Sequence, residues 1–479
     1  MSDSHVGFDN IIERERGLRR TLSASRMTMI AIGGAIGTGL FLGSGLAISL
    51  AGPAVLLSYG IGAVIALLLM GCLAEMTVAH PTSGSFGAYA EYYISPLAGF
   101  LVRYCYWIGN VLAVGSEVTA IALYMHFWFP ALPGWVSIVG FSGLLIVVNA
   151  RSVNVFGAIE YWFSAIKVTA ILIFIVLAAY IVLHAPATLP ADTAATRVGF
   201  HNYTDHGGFL PRGLWGAWVA VIVAIFSYFS IEMIAVAAGE AAHPEVAVAR
   251  AFRSTVVRLI LFYLLTLALI LAIVPWSAAG VEESPFVKVM RALAMPGAAG
   301  IFNFVILVAA LSAMNSQLYI TTRMMFSLSR AGYAPRRFGV LNDRGVPLPA
   351  LLLSSLGIAL AVALSVMAPR QAFVVMLSIS AFGSMFAWMM IFVTHYAFRR
   401  ARAGCGANAP ALSFRMRGFP ATTLLGAVLM AAVLLTTAFT DTFRMTLVFG
   451  LPCLVILTAI YWLRYRPQRR DAASSISAT

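Results

Sequence analysis

Three ionisable side chains lie inside apolar stretches, and they are the groups best placed to do chemistry. Glu117 sits within Gly115-Ser116-Glu117-Val118-Thr119, Lys167 within Ser164-Ala165-Ile166-Lys167-Val168, and Glu232 closes Phe226-Ser227-Tyr228-Phe229-Ser230-Ile231-Glu232. A charge at membrane depth is costly, so an acid or amine kept there marks a functional site by default. Burial also disfavours an ammonium, so a buried lysine can release a proton near neutral pH. Plainer readings stand beside these. Glu232 can be an acid hydrogen-bonded to a neighbouring helix. Lys167 can snorkel to the interface, although a place about eleven residues into its span makes that awkward.

The backbone is a second source of chemistry. Residues Ile32 to Gly45 hold six glycines in fourteen positions, each costing about 1 kcal/mol in a helix interior relative to alanine. Gly33/Gly37 and Gly39/Gly43 have the small-xxx-small spacing of close helix packing. The same stretch suits a helix broken at Gly37-Thr38-Gly39, whose free N–H and C=O groups bind a ligand. Phe226 to Glu232 is a second irregular stretch.

The elements that position these groups follow from composition. With 61% hydrophobic and 10% charged residues, against about 25% charged in an ordinary soluble chain, a soluble enzyme is excluded. A mean hydropathy of +0.90 and repeated apolar runs near about twenty residues indicate a polytopic helical membrane protein. Residues 1–26 are polar and no short apolar core precedes them, so no cleavable signal peptide is expected. The net charge of +13 is explained by position rather than by nucleic acid. Arginines gather at Arg14–Arg26, Arg250–Arg258, Arg323–Arg344, Arg399–Arg417 and Arg464–Arg470, and the alternate loops hold few. That asymmetry places both termini in the cytoplasm and makes the number of spans even. The four cysteines have neither disulfide nor metal-ligand spacing, and no cofactor or metal is expected.

Twelve spans are read, near 27–50, 53–79, 97–128, 134–151, 157–184, 214–240, 256–279, 298–328, 349–368, 372–397, 420–440 and 443–464. They divide the chain into a cytoplasmic tail (1–26), a first block of five spans (27–184), an outer loop (185–213) and a second block of five (214–398). A cytoplasmic loop (399–419), two further spans (420–464) and a cytoplasmic tail (465–479) follow. His80 to Gly87 is a re-entrant or interfacial stretch, and Pro244 to Ser254 a basic connector. Spans 1 and 6 each open a block of five. Interruptions at matching positions in two halves point to the central site of a transporter.

Several of these residues carry a resemblance. Gly33 to Gly39, Pro81-Thr82-Ser83-Gly84-Ser85-Phe86, Glu160 to Lys167, Phe226 to Glu232 with Ala237 to Ala241, and Asn315-Ser316 with Arg323-Met324 are similar to bacterial amino acid permeases of the amino acid–polyamine–organocation superfamily. The group is that of the lysine, aromatic, proline and 4-aminobutyrate permeases. The resemblance runs from about residue 17 to the end of span 12. It implies an all-α, LeuT-like fold: a five-plus-five inverted repeat with helices 1 and 6 broken, plus two extra helices. Where the family usually has glycine, this chain has Ser230.

What the resemblance implies for the site is specific. Ala35, Gly37, Thr38, Gly39, Phe226, Phe229 and Ser230 line a substrate site, with the substrate carboxylate at the N–H groups after the span 1 break and its ammonium on carbonyls near Phe226 and Phe229. Lys167 stands in for a sodium ion between spans 1 and 8 and is the obligate positive charge or proton carrier. Glu117 relays protons, braces a helix or meets a cationic side chain, and Glu232 joins the proton-coupling set. Glu75 and Glu240 are structural or gate residues. The expected function is proton-coupled import of α-amino acids, chiefly neutral ones, across a bacterial inner membrane. The expected partners are the amino acid, the proton and membrane lipid. An exchanger, a cationic amino acid carrier and, more distantly, a non-transporting amino acid sensor are the alternatives. No catalytic constellation suggests an enzyme.

Overall fold

The computed structural model describes residues 8–15, 24–184, 198–240, 244–278, 280, 282–292, 297–368, 371–404 and 412–465. Of the expected loops and tails, residues 185–197, 405–411 and 466–479 lie outside the described residues, as do 1–7 and 16–23 of the first tail.

Helices account for the regular structure, with no strand among the described residues. In chain order they are α1 (Phe8–Arg14), α2 (Ala24–Ala35), α3 (Thr38–Phe41), α4 (Gly43–Ala51), α5 (Val55–Ala79) and α6 (Ser85–Tyr93). Next come α7 (Pro96–His126), α8 (Gly134–Arg151), α9 (Val153–His184), α10 (Gly213–Tyr228), α11 (Met233–Ala237), α12 (Pro244–Ile273) and α13 (Pro285–Ala292). The last are α14 (Ala298–Arg330), α15 (Leu348–Ser354), α16 (Leu356–Met367), α17 (Ala372–Gly404), α18 (Ala421–Thr436) and α19 (Met445–Ile460). The stretch expected as a basic connector, Pro244 to Ser254, is the first part of α12 and continues without a break into the seventh span.

Among the described residues, ten helical segments are long and apolar enough to cross a membrane. Two shorter apolar stretches, Ile32–Phe41 and Leu259–Ile273, lie where the first and seventh spans are expected. α7 forms the spine, packed against α14, α16 and α17. Apolar side chains on the periphery, such as Val176, Leu183, Leu435, Val455 and Leu463, are exposed. Apolar patches of that extent mark a lipid-facing surface.

Both interruptions are present. α2 stops at Ala35, Ile36 and Gly37 bend, and α3 opens at Thr38 with Gly37 in an extended conformation. The break therefore falls at Ile36–Gly37, and Thr38 and Gly39 are already helical. The reason lies on α9, where the Lys167 ammonium donates to the Gly33 and Ile36 carbonyls at 2.5 and 2.9 Å. It replaces the intrahelical N–H donors those carbonyls lose. Gly39 makes the close approach possible, since a Cβ there would stand 2.9 Å from the Ser227 Cα.

In span 6, α10 ends at Tyr228 and α11 begins at Met233, leaving Phe229 to Glu232 outside either helix. The Tyr263 hydroxyl on α12 lies 2.9 Å from the Ala35 carbonyl and 2.8 Å from that of Ser227, so one side chain serves both interruptions.

The end of the bundle that carries the arginine clusters is closed by α1. Phe8 stacks on His80 with centroids 4.1 Å apart and meets Tyr92 edge-on. Arg14 pairs with Glu91, and Glu15 is buried. At the opposite end, α13 and its approach cover the top of α3. Ser284 donates to the Phe41 carbonyl at 2.6 Å, and Phe286 packs edge-on against Phe41. Lys288 donates to the Ala278 carbonyl at 2.6 Å.

Candidate functional site

The two broken helices face each other across a small central cavity. Ala35, Gly37, Gly39, Phe226, Phe229 and Ser230 all line it, and Glu117 reaches it from α7. Thr38 contributes its backbone, whose N–H donates to Glu117 Oε2 at 3.4 Å. Free space amounts to about 20 Å³, room for a water molecule and for no amino acid. Phe226 and Phe229 close it, in edge-on contact at 5.8 Å, and Phe229 leans on Trp388 at 5.1 Å.

The ionisable residues separate into two places. Lys167 is fully buried behind the break, donating to Gly33, Ile36 and the Ser312 hydroxyl on α14, the last at 2.8 Å. Ser312 in turn donates to Glu160, one of whose carboxylate oxygens also accepts from Asn315 at 2.9 Å. The lysine charge is thus answered through one hydroxyl by a carboxylate two turns away on its own helix. Glu232 does not line the cavity. It accepts from Tyr106 at 2.6 Å, Trp388 at 3.1 Å and the Ser230 N–H at 3.3 Å, clamping the span 6 interruption to α7 and α17.

Glu240 accepts from Tyr319 and Arg323 at 2.7 and 2.9 Å. Glu75 joins His395 and Arg399 at 3.1 and 2.8 Å. Both hold neighbouring helices together near the arginine-rich end.

Sequence reasoning missed several residues at the site. Asn110 and Gln317 line the cavity, with Ser380 and Ser384. Asn110, Ala113 and Glu117 repeat on one face of α7, and Ser380 and Ser384 on one face of α17. Polar residues at helical spacing in apolar spans were the available signal. Gln317 Oε1 is buried without a hydrogen-bond partner, an acceptor at the cavity wall waiting for a donor. Glu160 was visible only as part of a motif, because its partners lie more than one hundred and fifty residues away, at separations of 152 and 155. Among the described residues, no three His, Cys, Asp or Glu side chains gather to hold a metal ion.

The chain has relatives. Residues 26–474 match the amino acid permease family. The chain belongs to that family. The permease is 36% identical over 465 residues to the gamma-aminobutyric acid permease of Bacillus subtilis, covering 97% of each chain. It is 37% identical over 420 residues to the aromatic amino acid transport protein AroP of Salmonella typhimurium, covering 87% of this chain and 89% of that one. Among solved structures, a manganese transporter from Eremococcus coleocola superposes with a TM-score of 0.58 at 14% identity, covering 98% of this chain and 97% of that one. That likeness concerns the fold alone. The permease is a multi-pass membrane transporter.

Proposed function

We propose that this permease imports zwitterionic, net-neutral amino acids together with a proton, by alternating access across a bacterial cytoplasmic membrane. Twelve spans in a five-plus-five inverted repeat with two added helices carry the cycle, and the arginine-rich end, with both termini, faces the cytoplasm. The observation that bears most weight is the bond from the Thr38 N–H to the Glu117 carboxylate. That N–H opens a helix and is the donor a substrate carboxylate needs. Glu117 already occupies it as an acceptor. Two carboxylates repel each other on one donor, so substrate binding favours the protonated form of Glu117. Proton and amino acid then arrive together.

The other groups complete the assignment. Gln317 Oε1 and the carbonyls near Phe226 and Phe229 accept the substrate ammonium without adding charge. Lys167 holds the span 1 break through the Gly33 and Ile36 carbonyls and is the fixed cation or proton carrier of the cycle. Glu232 contributes by locking the span 6 interruption, which loosens when that carboxylate is neutralised. The relatives' names, one for 4-aminobutyrate and one for aromatic amino acids, fit zwitterions whose side chains bear no charge.

Uptake into proteoliposomes tests this, with radiolabelled amino acids supplied under an inside-alkaline pH gradient. The wild type accumulates substrate, and a protonophore abolishes accumulation. Lys167→Ala abolishes it too. Glu117→Gln keeps counterflow but loses the response to the gradient. Full pH-driven uptake by Lys167→Ala would overturn the coupling, and counterflow indifferent to the gradient in the wild type would make the permease an exchanger.

A further inference from the structure

Glu15 accepts from a set of donors that the transport site does not use. Its Oε2 accepts from the Thr82 hydroxyl at 2.7 Å and the Gly84 N–H at 2.6 Å. Its Oε1 accepts from the Ser327 hydroxyl at 2.7 Å and lies 3.6 Å from Arg103 Nη2. That Nη2 is buried with no hydrogen bond of its own. The donors come from three separate elements: the turn before α6, the α7 helix and the α14 helix. The seat is also shaped for its occupant, since a Cβ on Gly84 would strike the Glu15 carboxylate.

The seat does not depend on Glu15. Arg103 is fully buried and is held independently by Glu91 at 2.8 Å and by Ser327 at 3.0 Å. Thr82 and Gly84 belong to the turn that packs beneath span 6, where Ser83 N lies 2.5 Å from the position a Cβ on Gly239 would take. The occupant, by contrast, rides on α1, a helix of one to two turns fastened by Phe8 and Arg14. A preformed cluster of charged and neutral donors is a receptor for any carboxylate of suitable size.

We propose that Thr82, the Gly84 N–H, Ser327 and Arg103 form a carboxylate-binding site at the arginine-rich mouth, filled in this conformation by Glu15 as a tethered ligand. The carboxylate of a free amino acid fills the same site when α1 lifts away. The second clause rests on the amino acid transport reading; the first does not. Because α14 must lie against α7 and the 82–84 turn for the donors to converge, an occupied site holds this mouth closed. Amino acid accumulated on that side therefore restrains further opening, a form of inhibition by product.

The test uses the purified full-length permease and its melting temperature. Glu15→Ala empties the site and lowers Tm, and sodium acetate restores at least half of the loss, whereas sodium chloride at equal concentration restores none. Adding Ser327→Ala removes the acetate response. In Glu15→Ala the bond after residue 14 is also cut by trypsin about tenfold faster than in the wild type, because the lifted helix is open more of the time. Equal effects of acetate and chloride on Glu15→Ala would overturn the site. An acetate response with no Ser327-dependent response to alanine would overturn the amino acid as its ligand. Acetate rescue in a protein that takes up no amino acid in proteoliposomes would sustain the carboxylate site and sink the transport reading instead.

Discussion

Ser230 holds a backbone conformation that glycine adopts freely and serine does not, at φ +75°. Such a conformation costs a non-glycine residue about 1–3 kcal/mol. The Ser230 N–H bond to Glu232 keeps the chain there, and the residue also lines the central cavity. Ser230→Gly is expected to stabilise the permease by about 1 kcal/mol, read as a higher melting temperature, and to admit bulkier substrates in uptake competition. A lower melting temperature would mean that the hydroxyl contributes more than the strain costs. Residue identity alone exposed Glu117, Lys167 and Glu232 as unusual, because each is ionisable among apolar neighbours. It could not separate their roles. Glu232 meets Tyr106 and Trp388, 126 and 156 positions away, and such pairings exist only once helices pack.

At the scale of elements, the interruption of span 1 was legible from its glycine density, and its position was shifted slightly by a partner on another helix. Lys167 captures the Ile36 carbonyl, so the chain bends one position earlier than glycine and threonine content implies. The contact of α1 with the turn at His80 was not legible, since nothing in a polar N-terminal stretch announces where it docks. That contact has a pH dependence. Burial pushes the His80 imidazole down to about 4, helped by Arg402 and opposed by Asp9. Folding therefore favours the neutral ring. Its contribution is complete above the unfolded value near about 6.5 and is lost as pH falls towards about 4. Glu91 responds only at lower pH. Burial works against its carboxylate, but the Arg103 and Arg14 guanidinium groups outweigh it and hold it at about 2. Melting temperature is thus expected to fall between about pH 6.5 and 4 in the wild type and to fall less in His80→Asn. An identical decline in both proteins would place the sensitive group elsewhere.

Over the whole molecule, composition and apolar run lengths were sufficient for the class, a helical bundle in a membrane. The alternation of apolar runs with arginine-rich loops was readable in the chain. The closed state of the central cavity was not, for it depends on two phenylalanine rings and a tryptophan brought together from α10, the span 6 interruption and α17.

One consequence of the fold concerns labelling. The chain has two lysines, and they could hardly be placed more differently. Lys167 is sealed inside the bundle, and Lys288 sits half-buried on α13, at the end opposite the arginine clusters. Burial draws the Lys288 ammonium below its ordinary value, against the pull of Glu283 and Glu282, so more of it is present as a nucleophilic amine. A membrane-impermeant acylating reagent added to intact cells is expected to mark Lys288 and to leave Lys167 untouched, read by peptide mass spectrometry. Modification of Lys288 in inverted vesicles alone would turn the molecule over in its membrane. Two lysines, one hidden and one offered, make sidedness a question for a single reagent.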